Sequence, residues 1–220
     1  MATLPLFPLG TALMPGALLP LQIFEPRYVT LLQNLISTQE EQPPVFGVVA
    51  IRKGFEVGEH GARALHPIGC SAQIRQATSL GEGRFLIIAE GRTRFELGEI
   101  ENDSTTPYAV AHVNWLLDED GDANEVGTLA AMLRRDLAAY RESLGEDEME
   151  APDEDRELSY WLPQALDLDL SDRQQMLASS STETRLRLCR QIVRRERTLT
   201  SSLGTIGHSL GGLGGPISPN

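Results

Sequence analysis

The sequence predicts an α+β protein, in which a mostly antiparallel β region with one early helix precedes a helical region. Two hydrophobic patterns carry this prediction. Between residues 45 and 117, short apolar runs alternate with polar residues, as in half-buried strands. From about residue 124, apolar residues recur every three or four positions, as in amphipathic helices. The chain is therefore divided into a β-rich part (1–117), a helical part (118–198) and a flexible tail rich in glycine and serine (199–220).

The first apolar stretch, residues 4–24, carries no charged side chain and is long enough to span a bilayer. Four prolines interrupt it (Pro5, Pro8, Pro15 and Pro20), and each removes a donor that a helix needs. Short strands and turns are therefore predicted here. Because no basic residue precedes the stretch, it lacks the pattern of a signal peptide, and a cytoplasmic location is expected.

One helix is predicted early in the chain, over PRYVTLLQNLIS (26–37). Pro26 suits the first helical position, where its missing N–H is not needed. The apolar residues fall on one helical face: Tyr28, Leu31, Leu32, Leu35 and Ile36.

The other strands of the β-rich part are predicted from short apolar runs and, over residues 68–77, from alternation of apolar and polar residues. They cover residues 45–52, 68–77, 84–91, 92–97 and 108–117. The glycine-bearing turn SLGEG (79–83) predicts an antiparallel hairpin between the second and third of these runs.

Helices of the second part follow an apolar stripe from Val126 to Leu144 and two capping patterns, Ser171 with Gln174 and Ser180 with Glu183. The acidic run 146–157 is predicted to be a solvated linker.

The net charge of −12 is concentrated in one segment. Residues 116–157 carry 4 basic and 15 acidic side chains, which gives −11. This charge argues against nucleic acids and anionic membranes as partners. The arginines of residues 185–197 are expected to be solvated or to pair with the acidic run 146–157.

The clearest catalytic pattern is Gly207-His208-Ser209-Leu210-Gly211, which fits the G-x-S-x-G motif of serine hydrolases. No histidine or side-chain carboxylate follows Ser209, and no strand is predicted before it. Lys53 is the single lysine, and no Gly-Lys-Ser/Thr sequence is present. Asp118, Asp120 and Asp122 match only part of a calcium loop. No catalytic residue, metal ligand or cofactor is therefore predicted.

Two cysteines, Cys70 and Cys189, lie far apart in the chain. Without a C-x-x-C motif, they are expected to be buried free thiols.

The opening segment resembles the N-terminal domain of ATP-dependent Lon proteases, which also occurs in cereblon. The resemblance begins with Leu4-Pro5-Leu6 and continues through Pro15-Gly16 and Pro20-Leu21 to Phe24-Glu25-Pro26-Arg27-Tyr28. Two later strands are similar to family patterns: IGCSAQI, with Gly69, Ala72 and Ile74, and GRTRFEL, with Gly91, Arg94, Phe95 and Leu97. Gly16 is expected to supply a turn, and Glu25 to cap the helix that starts at Pro26.

The resemblance implies a PUA-like β pseudo-barrel followed by a C-terminal helical bundle. It also implies a non-enzymatic module that binds unfolded or extended polypeptide, alone or beside a protease or chaperone partner. Candidate aromatic contacts are Phe24, Tyr28, Phe55 and Trp115. Because PUA-like folds also bind RNA, RNA binding is the alternative. The oligomeric state stays open.

Overall fold

The computed structural model describes residues 2–37, 44–54, 62–101, 105–147 and 150–211, without the side chains of 54, 62, 63 and 201–211. The strands are β1 (Ala2–Leu9), β2 (Leu18–Ile23), β3 (Val45–Gly54), β4 (Ala62–Leu65), β5 (Ile68–Gly81), β6 (Arg84–Ile100) and β7 (Val110–Trp115). The helices are α1 (Pro26–Ser37), α2 (Ala123–Leu144), α3 (Asp155–Ala165), α4 (Leu170–Ala178) and α5 (Thr182–Gly211). Strands precede helices, with one early helix, as the sequence predicts.

Five strands close into a ring in the order β1-β7-β6-β5-β3, because β1 pairs with both β7 and β3. The β1–β3 pair is parallel, and the other described pairs are antiparallel. The predicted antiparallel pseudo-barrel is thereby confirmed. β2 joins the outside of this ring at β6, and β4 joins it at β3.

β6 is a single strand of 17 residues. The sequence predicts two strands here, over 84–91 and 92–97, and this prediction is wrong. Gly91 lies at the boundary between them and continues the strand. Its role is to admit another segment: an added Cβ would lie 2.1 Å from the Met14 carbonyl oxygen.

The segment that approaches Gly91 is the turn before β2. Gly16 donates its N–H to the Gly91 carbonyl (2.8 Å), and Gly91 donates to Ala17 (2.9 Å). Gly16 has a φ of +79°, which favours glycine, so the predicted turn at this residue is confirmed.

The barrel interior is a small apolar cluster built around Phe95. It consists of Leu4, Leu6, Val49, Phe95, Ala111 and Val113, all buried. Gly69 admits the ring of Phe95, since a Cβ at this position would lie 2.5 Å from the Phe95 Cζ and 2.6 Å from the Val48 carbonyl oxygen.

A second and larger core lies outside the barrel. It is one continuous buried cluster, with residues from strands and from all five helices. α1 begins at Pro26 as predicted, and it packs on the barrel through Tyr28, whose ring stacks on Phe7 at 4.0 Å. The carboxylate of Glu25, the predicted cap, pairs with Arg27 at 2.9 Å, while its carbonyl oxygen accepts the N–H groups of Tyr28 and Val29.

The helix boundaries of the second part differ from the predicted ones. Asp169 caps α4, and Ser181 accepts the N–H of Thr184 at the start of α5 (3.1 Å), so the predicted caps Ser171 and Ser180 are wrong. α3 has no counterpart among the predicted helices, because its first residues belong to the acidic run and Pro163 lies in its last turn.

α5 continues to Gly211, so its backbone includes the start of the segment that composition marks as a tail. Helix propagation adds a hydrogen bond per residue and does not require an apolar stripe. Of the helices within the described ranges, none has the length and apolarity that a bilayer crossing requires. The domain boundaries stay a prediction.

Gly91→Ala is expected to lower the free energy of unfolding by roughly 1–3 kcal/mol, because the added methyl group displaces the Met14 carbonyl. Urea denaturation measures this change. The control is Gly127→Ala in α2, where nothing lies within 4 Å of the added Cβ. It is expected to raise stability by about 0.5–1 kcal/mol. An unchanged unfolding midpoint for Gly91→Ala contradicts the close approach.

Both cysteines are free and buried, as the sequence predicts. Burial raises the pKa of each thiol, Cys70 and Cys189, to about 12. Because the thiolate is the reactive form, the native protein is expected to react with iodoacetamide at pH 8 at least tenfold more slowly than the urea-unfolded chain. Mass spectrometry measures the modification of each cysteine. Rapid modification of either one in the native state contradicts the burial.

Candidate functional site

The structure separates the aromatic residues that the sequence suggests as exposed contacts. Phe24 follows β2 and is 55% exposed. Trp115 ends β7, is 43% exposed, and packs edge-on against Phe95. Tyr28 is buried, so its prediction as an exposed contact is wrong: the apolar face of α1 turns it into the core. Phe55 lies outside the described residues.

Phe24 and Trp115 do not form one site. Phe24 follows Ile23, which pairs with Phe85 near the start of β6, whereas Trp115 pairs with Phe95. The separation along the strand is roughly 33 Å, at about 3.3 Å per residue. Phe24 borders a small pocket of about 100 Å³ beside Pro8.

A three-stranded extension of the sheet, here called the β-arm, consists of β2, residues 74–81 of β5 and residues 84–90 of β6. Its inner face contributes Ile23, Ile74, Ile87 and Ala89 to the large core. Its outer face exposes aliphatic side chains to solvent. Leu18 is 66% exposed and Leu86 42% exposed, with Pro20 and Ile88 between them in register. A soluble protein that exposes such a patch commonly uses it for binding.

An open cleft of about 590 Å³ adjoins the β-arm and separates the barrel from α3. One wall consists of the turn at Pro15 and Gly16 and of residues 90–93 of β6. The opposite wall is Pro152 and one face of α3, formed by Arg156, Glu157, Tyr160, Trp161 and Gln164. Glu90 lines the cleft and is also the register partner of Leu18, so the cleft and the outer face of the β-arm are continuous.

Asp118 lies at the base of the cleft and joins the barrel to the helices. Its Oδ1 accepts the Nε–H of the buried Arg94 at 2.8 Å, and the Nη2 of Arg94 lies 2.5 Å from the same oxygen. Arg94 also donates through Nη1 to the Leu177 carbonyl at the end of α4 (3.0 Å). One barrel side chain is therefore bonded to two segments of the helical part.

The other oxygen of Asp118 is bound from α3 and approached from α5. Tyr160 donates its hydroxyl to Oδ2 at 2.6 Å, and the Nη2 of Arg185 lies 3.5 Å from it. The guanidinium of Arg185 also covers the Tyr160 ring, 3.9 Å from its centroid. Burial, above all, and the hydrogen bond to Asp118 raise the pKa of the Tyr160 hydroxyl above its usual range, against the lowering effect of Arg185. Tyr160 is therefore a neutral donor at physiological pH.

Two buried guanidinium groups share the single carboxylate of Asp118, and backbone carbonyls complete their coordination. Arg185 donates to the Ser179 carbonyl (3.0 Å), and Arg94 donates to that of Leu177. Both carbonyls are at the C-terminal end of α4, where the helix dipole favours positive charge. The cluster thus links the barrel to α3, α4 and α5, and it holds the walls of the cleft in place.

The described lining of the cleft includes no histidine, cysteine or lysine. Across the residues that the structure describes, no group of three or more potential ligands could hold a metal ion. The aspartates that partly match a calcium loop have other partners: Asp118 binds Arg94, Asp120 pairs with Arg156, and Asp122 caps α2.

Ser209 lies in the last part of α5, so its backbone is helical on both sides. A nucleophile elbow requires a turn between a strand and a helix. The G-x-S-x-G pattern therefore has the wrong backbone setting for that motif.

Four arginines of α5 pair with acids outside the run 146–157, and the side chains of Arg187 and Arg194 are at least half exposed, as the alternative of solvated arginines predicts. Arg190 and Arg194 both bind Asp136 of α2 at 3.1 Å. Arg195 binds Asp172 of α4, and Arg187 binds Glu183 and Glu125. Asp136 and Glu125 lie on α2 and Asp172 on α4, two helices that contact α5, whereas Glu183 lies one turn before Arg187 on α5 itself.

Comparison with known proteins identifies the family. Residues 3–195 match the family described as the ATP-dependent protease La (LON) substrate-binding domain. The chain belongs to this family. Lon protease of Anaeromyxobacter dehalogenans is 25% identical over 206 residues, covering 90% of this chain and 24% of the relative. Lon protease 2 of Myxococcus xanthus is 24% identical over 204 residues, covering 89% and 24%. The chain thus spans about a quarter of these relatives.

Two solved structures share the fold of this Lon substrate-binding domain. The Lon N-terminal domain protein from Xanthomonas campestris superposes with a TM-score of 0.62 at 24% identity, covering 85% of this chain and 96% of that one. The N-terminal domain of Mycobacterium avium complex Lon protease has a TM-score of 0.65 at 15% identity, covering 88% and 98%.

The structure explains the family-like strand GRTRFEL. Gly91 admits the Met14 carbonyl, Arg94 binds Asp118, and Phe95 fills the barrel. The wall of the cleft on α3 was missed from the sequence. The available signal was Tyr160-Trp161, an aromatic pair directly after the acidic run.

Asp118→Asn is expected to lower the free energy of unfolding by about 3–5 kcal/mol, because it leaves two buried guanidinium groups without a carboxylate. Asp120→Asn removes the exposed partner of Arg156 and is expected to cost less than about 1 kcal/mol. Thermal and urea unfolding measure both. Equal losses for the two variants contradict a structural role of the buried cluster.

Proposed function

We propose that this Lon substrate-binding domain binds unfolded or extended segments of other proteins and does not cut them itself. Family membership supports the binding role. The sequence has no Gly-Lys-Ser/Thr phosphate loop, and its G-x-S-x-G pattern lies within a helix. Recognition is therefore the activity that the described site supports best.

The observation that carries the proposal is the outer face of the β-arm, where exposed aliphatic side chains lead into the cleft. Unfolded proteins expose the apolar residues that would cover this face. Each square ångström of apolar surface removed from water contributes about 25 cal/mol, so covering the exposed side chains of this face favours the binding of a client. The cleft beside it adds aromatic and polar groups, among them Trp161 and Gln164.

Phe24 and Trp115 are retained as proposed secondary contacts. Phe24 adjoins the end of β2, close to the β-arm, whereas Trp115 lies at the far end of β6. Substitution by alanine at each position distinguishes the contributions of the two residues to client binding. If Phe24→Ala weakens client binding and Trp115→Ala does not, the client binds at the β-arm.

The proposal includes a cytoplasmic location and a protease or chaperone that receives the bound client. RNA binding is the second prediction from the sequence. It requires a contiguous basic surface, and the arginines of α5 discussed above are paired with acids, among them Asp136 and Asp172 on neighbouring helices. Polypeptide binding is therefore favoured.

The double variant Leu18→Thr, Leu86→Thr is expected to bind unfolded protein about tenfold more weakly, since it removes exposed apolar area while keeping residues that favour strands. The measurement is fluorescence anisotropy with labelled, reduced and carboxymethylated α-lactalbumin.

Met132→Gln serves as the matched control, because Met132 is an exposed apolar residue on α2, remote from the β-arm. It is expected to leave the affinity within twofold of the wild type. If the wild type does not bind several unrelated unfolded proteins at tens of micromolar, polypeptide binding is refuted.

A further inference from the structure

The β-arm has two outer strands, β2 and β5, whose outer edges differ in their capacity to pair. Within the described ranges, β2 pairs with β6 alone, and Pro20 lies near its middle. β5 pairs with β3 only between Val48 and Val45, opposite Cys70 to Gln73. In the described part of the chain, nothing pairs with the far side of β5 from Gln76 to Leu80.

The direction of the backbone groups follows from Pro20. Without an N–H, Pro20 cannot exchange two hydrogen bonds with its register partner Ile88, so the N–H and C=O of Ile88 point towards β5. Gln76 is the partner of Ile88 on that side, and its groups therefore point to β6. Alternation along the strand then directs the N–H and C=O of Ala77 and Ser79 outwards.

Two observed hydrogen bonds agree with this alternation. Gly91 donates to Ala17, so odd-numbered residues in this part of β6 point towards β2 and even-numbered ones towards β5. Ile74, the partner of Ala89, donates to the Pro44 carbonyl on the outer side of β5 (3.0 Å). After the irregularity at Arg75, the next outward residue is Ala77.

Between its two register irregularities, at Arg75 and at Leu80, the outer edge of β5 has neither of two devices by which proteins block strand addition, charged side chains and proline. Residues 76–81 contain no charged residue and no proline, and all are exposed. β2 is blocked by Pro20, which removes a donor from its outer edge. Among the described residues, the edge of β5 between Gln76 and Ser79 is therefore the edge of the β-arm that is better suited to pair with another chain.

We propose that an extended segment of a client polypeptide adds as a strand to the edge of β5, with hydrogen bonds to the N–H and C=O of Ala77 and Ser79. This inference rests on the proposed function and specifies how the client is held. Backbone pairing supplies affinity without regard to sequence, as in other cases of strand addition. It suits a module that must accept many different unfolded chains.

Neighbouring side chains define the preferred client. Ala77 and Ser79 are small and pair with Ile87 and Phe85 on the inner face, whereas Leu86 is exposed on the outer face beside Thr78. A client with apolar residues at alternate positions would contact these side chains. A second copy of the chain is disfavoured as the occupant, because two molecules with a net charge of −12 each repel one another.

The test uses the full chain and a fluorescein-labelled heptapeptide in which valine alternates with threonine and lysine. Ala77→Pro removes one outward donor without removing a bond to β6, and it is expected to weaken peptide binding at least tenfold. Ala77→Val keeps the donor and is expected to stay within twofold of the wild type. Circular dichroism and thermal unfolding verify that both variants are folded.

N-methylated peptides give a second measurement that requires no protein variant. Methylation of alternate residues on one edge of the peptide is expected to abolish binding, and methylation of the other set to leave it unchanged. Equal binding of both methylated peptides overturns the inference, and so does unchanged affinity of Ala77→Pro.

The outcomes separate this inference from the proposed function. If Ala77→Pro binds both the heptapeptide and unfolded α-lactalbumin like the wild type, the edge is not the site, while the module still binds polypeptide. If the wild type binds neither ligand, the proposed function fails. If sedimentation shows a wild-type dimer that Ala77→Pro abolishes, the occupant is a second copy, and the inference is overturned.

Discussion

The ion pair between Arg94 and Asp118 is the interaction on which the arrangement of barrel and helices depends. Arg94 lies in the long strand β6, and its guanidinium reaches both Asp118 and the end of α4. Tyr160 and Arg185 bring α3 and α5 to the same carboxylate. Because the buried charges are costly unless all are paired, the helices have one favourable position on the barrel. The cleft is the space that this position leaves open between α3 and β6.

The length of β6 links the two binding features. Its second half closes the barrel around Phe95, and its first half forms the centre of the β-arm. The two halves of β6 meet at Gly91, where the missing side chain lets the turn at Gly16 pack against the strand. β2 follows this turn and pairs with the first half of β6. The inner face of the β-arm is consequently buried at Ile23, Ile74, Ile87 and Ala89, while its outer face and residues 76–81 of β5 are exposed to solvent. Rigid support beneath an open edge favours recognition of extended chains.

Much of the fold could be predicted from the sequence. A period of two marked β5, short apolar runs marked β3 and β7, and the proline-rich opening excluded a long helix over β1 and β2. The apolar stripe from Tyr28 to Leu32 correctly placed α1. Because this stripe is the buried face of the helix, Tyr28 is not available as an exposed contact for a client. Exposure of a single aromatic residue depends on which face of its element is covered, and local sequence carries little information on that.

The sequence by itself determined the order of strands and helices, the turn at Gly16, the buried thiols and the family, because each depends on local pattern or on motifs in order. Only the tertiary structure decided the site. Arg94, Asp118, Tyr160 and Arg185 are separated by tens of residues, and no periodicity relates them. Closure of the ring also determines which strand edges remain unpaired. Edges and clefts arise where elements distant in sequence meet or fail to meet, and that depends on how the whole chain packs.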